Sequence, residues 1–147
     1  MRSYLGYIFV VTTLLSLCAA EVIAQQNSKA KRQSEGEYLA SIPPQAVPVY
    51  NMLKATETFD ARLFKSVWCS GTLKMWSAWG VKDYEATVRE WHRAYRKTYG
   101  KYDLRSLTYS YQGDESSGIV TIAYHGKERD GLIVVREAGA WKLKSGD

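Results

Sequence analysis

Between Asp83 and Tyr99 the large apolar residues Tyr84, Val88, Trp91 and Tyr95 recur at steps of four, three and four, which predicts a helix carrying them in one narrow arc. Asp83 is placed to cap its first turn, and Gly100, flanked by Lys97 and Lys101, to end it. Arg89, Arg93, Arg96 and Lys97 fall on the opposite side. After Gly100 the period drops to two. Leu107, Tyr109 and Tyr111 alternate with Thr108 and Ser110; past the turn-forming run Gly113 to Gly118, Val120, Ile122 and Tyr124 alternate with Thr121 and Ala123. His125-Gly126 to Asp130-Gly131 reads as a further turn. Leu132 to Arg136 and Ala140 to Leu143 read as the last strands, joined by a tight hairpin at Ala138-Gly139.

Ahead of Asp83, Ile42-Pro43-Pro44 imposes an extended segment, and Pro48 suits the first turn of a short helix whose Val49, Met52, Leu53 and Thr56 share a face. Asp60 is a second N-cap, for a stretch with Leu63, Phe64, Val67 and Trp68 on one side. Ser70-Gly71-Thr72 interrupts that stretch, and Leu73, Trp76 and Trp79 follow, in one broken helix or two. Helices first and a four-stranded antiparallel meander second predict an α+β fold, N-terminal helices packed on one face of a curved, mostly antiparallel sheet.

The N-terminus changes the picture of where this fold works. Arg2, a mostly apolar run from Tyr4 to Ile23 and the exit Val22-Ile23-Ala24 have the layout of a secretory signal peptide spanning 1–24, with the mature chain starting near Gln25. An Ala20/Glu21 cut, an uncleaved membrane anchor and lipid attachment at Cys18 are the alternatives. The expected location is exported, periplasmic or extracellular. Residues 25–43 then read as a flexible polar leader, too poor in apolar groups up to Gly36 to repay ordering. Its Lys29, Lys31 and Arg32 offer contact with an anionic membrane surface. Residues 44–147 remain for a single α+β domain.

Composition narrows the chemistry by exclusion. Twenty Lys and Arg against fifteen Asp and Glu give a formal charge of +5. Loss of Arg2 and Glu21 with the signal would leave it unchanged. The excess favours anionic partners, with nucleic acid last among them for an exported chain. Without Cys18, Cys69 is the single thiol, so no internal disulfide is available, and its apolar flank predicts a buried, inert side chain. No His-Glu-x-x-His, Cys-x-x-Cys, Gly-x-Ser-x-Gly, phosphate loop or dinucleotide fingerprint occurs. No metal, cofactor or catalytic residue is therefore expected, and Asp83 or Glu90 beside His92 is the one pairing to weigh for acid–base work.

The element order, the closing Val135 to Leu143 (Val-Arg-Glu-Ala-Gly-Ala-Trp-Lys-Leu) and the segment with Ala55, Asp60, Leu63, Phe64 and Lys65 resemble exported members of the nuclear-transport-factor-2-like superfamily. The resemblance covers about residues 44–144. It implies a cone of helices wrapped by a curved sheet, a concave pocket between the two, and dimerisation through the sheet. Enzymatic members use a pocket Asp or an Asp/His pair, and no residue of this chain is assigned that role.

Two sets of candidate residues follow. Trp76, Trp79, Trp91, Tyr95, Tyr109, Tyr111, Tyr124 and Trp141 are the candidate ligand-binding aromatics, because flat side chains with one polar tip suit an apolar or ring-shaped ligand. The same positions also satisfy core periodicity. Arg89, Arg93, Arg96 and Lys97 are the candidate surface for an anion or partner, and equally the solvated back of an amphipathic helix. The expected function is a non-enzymatic binding or interaction domain, taking a small ligand in an aromatic pocket or a protein partner on its sheet. A pocket enzyme working by proton transfer or hydrolysis, and a membrane-anchored accessory subunit of a cell-envelope assembly, are the alternatives.

Overall fold

Pro43 is extended (φ −54°, ψ 137°), and Pro44 opens a 3-10 turn, Pro44–Ala46, that runs straight into helix α1, Val47–Thr58. The structure, a computed structural model, describes residues 35–146. Residues 35–41 are helical, although they lie within the stretch expected to be a flexible leader. The signal peptide, Cys18 and the leader up to residue 34 lie outside the described residues. A compact unit begins at Leu39. No described helix is long and apolar enough to cross a membrane.

Helix α1 ends at Phe59, whose left-handed backbone (φ 54°, ψ 35°) reverses the chain so that Asp60 can cap α2, Ala61–Ser66. The Leu63 N–H donates to Asp60 Oδ1 at 2.8 Å, the capping bond its position predicts. The interruption expected at Ser70-Gly71-Thr72 falls instead at Val67–Cys69; those three residues open the next helix, so the stretch is two helices. There the backbone joins the sheet: Cys69 N–H donates to the Leu143 carbonyl at 2.9 Å, and Leu143 N–H donates to that of Val67 at 2.8 Å. Helix α3, Ser70–Ala78, starts from this junction. Its first N–H donates to the Glu137 carboxylate at 3.0 Å, and the Ser70 hydroxyl donates to the same group. Those bonds hold the Glu137 carboxyl below the usual carboxylate range.

Helix α4, Tyr84–Tyr99, matches its predicted limits. Asp83 accepts from the Ala86 N–H at 2.9 Å, and Gly100 closes the helix at φ 68°, ψ −144°, a conformation that glycine adopts without a Cβ clash. A 3-10 turn, Leu104–Ser106, leads into strands β1 (Leu107–Gly113), β2 (Ser117–Tyr124), β3 (Lys127–Glu137) and β4 (Ala140–Lys144), hydrogen-bonded antiparallel in sequence order. The fold is α+β, with the helices packed on the sheet, as the change of period predicts. The sheet is an open meander, curled only weakly and not closed into a barrel.

The core lies between the helices and one sheet face. Val49, Met52, Leu53, Phe64 and Val88 from the helices meet Leu107, Val120, Ile122, Val134 and Leu143 from the strands, all fully or almost fully buried. Each such side chain contributes roughly 1.5 to 3 kcal/mol by leaving water. Cys69 is buried beside Thr72, its Sγ 3.3 Å from the Thr72 hydroxyl, as its apolar flank predicts.

One strand boundary departs from the expected pattern. His125 and Gly126 alone turn the chain (φ 51° and 71°), so Asp130-Gly131 belongs to β3 and forms no turn. The register then shifts: Ala123 pairs with Glu128 but Ile122 pairs with Asp130, leaving Arg129 as the extra residue of a β-bulge.

Candidate functional site: a cleft between helix α4 and strand β3

Because side chains alternate along a strand, the one-residue bulge at Arg129 decides which way everything after it points. It brings Asp130 and Leu132 onto the face occupied by Ile122 and Val120, their cross-strand partners, toward the helices. Helix α4 lays Glu90, Trp91, Ala94, Tyr95 and Thr98 along that side. Together these residues line an open cleft of about 400 Å³.

Trp91, Tyr95 and Leu132 supply the apolar lining, and Glu90 and Asp130 are its two carboxylates. The Tyr95 hydroxyl donates to Asp130 Oδ2 at 3.4 Å, and the Gly131 N–H donates to Oδ1 at 2.9 Å. Burial raises the Tyr95 phenol far above its ordinary value, and the charge of Asp130 adds to the rise. Tyr95 is therefore a fixed hydrogen-bond donor at neutral pH. Among the described residues, neither Glu90 nor Asp130 has an ion-pair partner, whereas Glu57 and Glu85 are paired with Arg96 and Arg89.

The two cleft rings, Trp91 and Tyr95, stand in the middle of a longer run of touching rings. Trp76 lies tilted against Trp68 with centroids 4.6 Å apart, Phe64 meets Trp91 at 5.5 Å, and Trp68 meets Trp91 at 5.3 Å. The run passes from Trp91 to Tyr95 (5.8 Å), Tyr99 (5.6 Å) and Tyr102 (5.4 Å), and reaches Tyr124 from Tyr99 at 6.4 Å. Pairs at such separations add roughly 0.5 to 1.5 kcal/mol beyond area burial.

The expected aromatic set is thus divided. Trp91 and Tyr95 line the cleft; Trp76 is core; Tyr109 is half-buried against the core, and Tyr124 lies at the far end of the ring run. Tyr111 and Trp141 pair edge-to-face at 5.6 Å away from the cleft, where the Tyr111 hydroxyl donates to the carbonyls of Asp114 and Ser117 and braces the β1–β2 turn. Trp79 lies outside the cleft and is 69% exposed. It stands at the C-terminal end of α3, where Gly80 (φ 86°) redirects the chain and Val81 packs on the core in its stead.

The basic row is divided too. Arg89, Arg93 and Lys97 are exposed along the outer side of α4. Arg96 leaves the row and reaches Glu57 in α1, Nη2 to Oε2 at 2.6 Å, with its guanidinium 5.8 Å from the Tyr102 ring centre. His92 turns the same way, its Nδ1 3.1 Å from the Thr56 carbonyl and 3.8 Å from Glu57 Oε1. Its pairing is with α1, neither with Asp83, which caps the helix, nor with Glu90, which lines the cleft. Among the described residues, no group of three or more His, Cys, Asp or Glu is placed to hold a metal ion.

Sequence reasoning missed Asp130, Leu132, Ala94 and Thr98 as cleft residues and Glu57 as the partner of Arg96. The bulge that turns Asp130 inward had no local signal beyond Asp130-Gly131 itself, which reads as a turn. Compared with known proteins, the chain matches no family model, no curated protein and no solved structure.

Proposed function

We propose that this protein is a binding domain whose ligand site is the cleft between α4 and β3, and that it performs no chemistry there. The observation that carries this reading is the convergence of two aromatic side chains, an aliphatic one and two carboxylates without ion-pair partners on one open cavity of about 400 Å³. Cavities of that size with a few placed polar groups are the usual form of small-molecule sites. Helices followed by a four-stranded meander support the resemblance to the cone-shaped superfamily, and the signal-like N-terminus supports export.

The test is occupancy of the cleft. A small-molecule screen followed by NMR should find ligands that shift the Trp91 indole and the Tyr95 amide, and Ala94→Trp, which fills the cleft from an exposed position, should abolish those shifts. A screen in which no compound moves either signal sinks the reading.

A second reading has its own observation. Ile119 and Ile133 face each other across β2 and β3 and stand 49% and 36% exposed on the sheet face away from the helices. That face suits contact with a second copy of the chain, and analytical ultracentrifugation of Ile119→Lys against the unaltered chain tests it: a dimer lost on substitution supports it, and a monomer in both overturns it.

A further inference from the structure

We infer that the cleft selects organic monocations, an ammonium group carried on an apolar or aromatic body. This rests on the reading of the cleft as a ligand site and adds the sign of the ligand's charge. Four observations point the same way. The lining holds two carboxylates and no Lys or Arg. Both carboxylates lack ion-pair partners among the described residues, in a chain whose formal charge is +5. Arg89, Arg93 and Lys97, on the same helix, stay exposed and outside the lining. Arg129, the bulge residue beside Asp130, is exposed and outside the lining.

Chemistry then selects the class. Asp130 is turned inward by the bulge and receives the Tyr95 hydroxyl and the Gly131 N–H, one on each oxygen. A carboxylate oxygen has room for more than one donor, so Asp130 can also accept from an ammonium. Two donors already hold its orientation. Trp91 and Tyr95 give such a cation aromatic surface, and attraction to that surface strengthens where water is partly excluded. Leu132 and Ala94 offer apolar contact to the rest of the ligand. An anion of equal size would meet Glu90 and Asp130 with no cation in the lining, so the site discriminates by repulsion as well as attraction.

Three probes with one phenethyl body separate these effects: phenethylammonium, 2-phenylethanol and 3-phenylpropanoate, each titrated into the full chain and followed by the Trp91 indole and Gly131 amide signals. The ammonium should bind at least tenfold more tightly than the alcohol, and the carboxylate more weakly than either. Asp130→Asn keeps an acceptor for Tyr95 and should bring the ammonium within threefold of the alcohol, while a thermal melt confirms that the variant folds. Glu90→Gln, at an exposed position, should narrow the gap in the same direction. Equal binding of alcohol and ammonium, or tighter binding of the carboxylate, overturns the charge selection and leaves the cleft as a ligand site. Failure of all three to move either signal overturns both.

Discussion

Arg96 and Glu57, thirty-nine positions apart, form an ion pair at 2.6 Å that fastens α4 to the last turn of α1. Glu57 is mostly buried, and its other oxygen, Oε1, is enclosed without a hydrogen-bond partner. The pair therefore costs more to break from one side than to remove whole. Arg96→Ala should destabilise by about 1 to 3 kcal/mol, reduced from the cost of a fully buried pair because the guanidinium is partly exposed. The double variant with Glu57→Ala should lose less than the sum of the singles. Urea unfolding of the four chains gives the coupling, and additive losses would show that the pair contributes nothing.

Phe64 touches Trp68, Trp76 and Trp91 and is fully buried, whereas Trp79 projects into solvent. Phe64→Ala should cost about 3 to 5 kcal/mol through lost burial and the cavity left behind. Trp79→Ala should change stability by no more than about 0.5 kcal/mol. Denaturant midpoints of the two variants measured together check the contrast, and comparable losses would contradict the placement of both.

The β3–β4 hairpin turns on Ala138 (φ 50°) and Gly139 (φ 82°), both in the left-handed region. Alanine tolerates that conformation at a cost on the order of 1 kcal/mol, and glycine or asparagine more cheaply. Ala138→Asn should raise the melting temperature by a few degrees, since about 0.5 to 1 kcal/mol is regained in a domain of this size. Gly139→Ala should lower it. Opposite signs for the two substitutions are the expected outcome.

Burial pushes the Tyr99 phenol up to about 12, with Asp130 adding to the shift and Arg129 opposing it; Tyr95 and Tyr102 are raised as well. An unfolded tyrosine ionises near pH 10, so above that pH the unfolded chain holds fewer protons than the folded one, and stability falls as pH rises. The contribution is complete below pH 10 and lost progressively from about 10 to 12. Absorbance at 295 nm should show these phenols ionising together with alkaline unfolding, and ionisation well before any loss of structure would refute their burial. Tyr95→Phe should reduce the slope of stability against pH in that window.

Much of this architecture was legible because it is written in short-range patterns. The Tyr84, Val88, Trp91, Tyr95 arc lies within four turns of one helix, and it, the Asp60 and Asp83 caps and the alternation from Leu107 to Tyr124 each depend on residues a few positions apart. The Ala138-Gly139 hairpin is equally local. The cleft was half legible: Trp91 and Tyr95 were among the candidates, but they came with Trp79, Tyr111 and Trp141, which periodicity cannot tell from them.

By itself, then, the chain's order of residues determined the α+β class, the run of helices ahead of the meander, the limits of α4 and the aromatic character of the interior. Tertiary structure alone decided that Val67 to Cys69 would hydrogen-bond to Leu143, that Arg96 would desert its basic neighbours for Glu57, and that Asp130 would face Tyr95. The physical reason is range. A helical arc or a turn is selected by neighbours within one or two turns of chain. Which groups meet across the core depends on register, where one extra residue at Arg129 exchanges inside for outside.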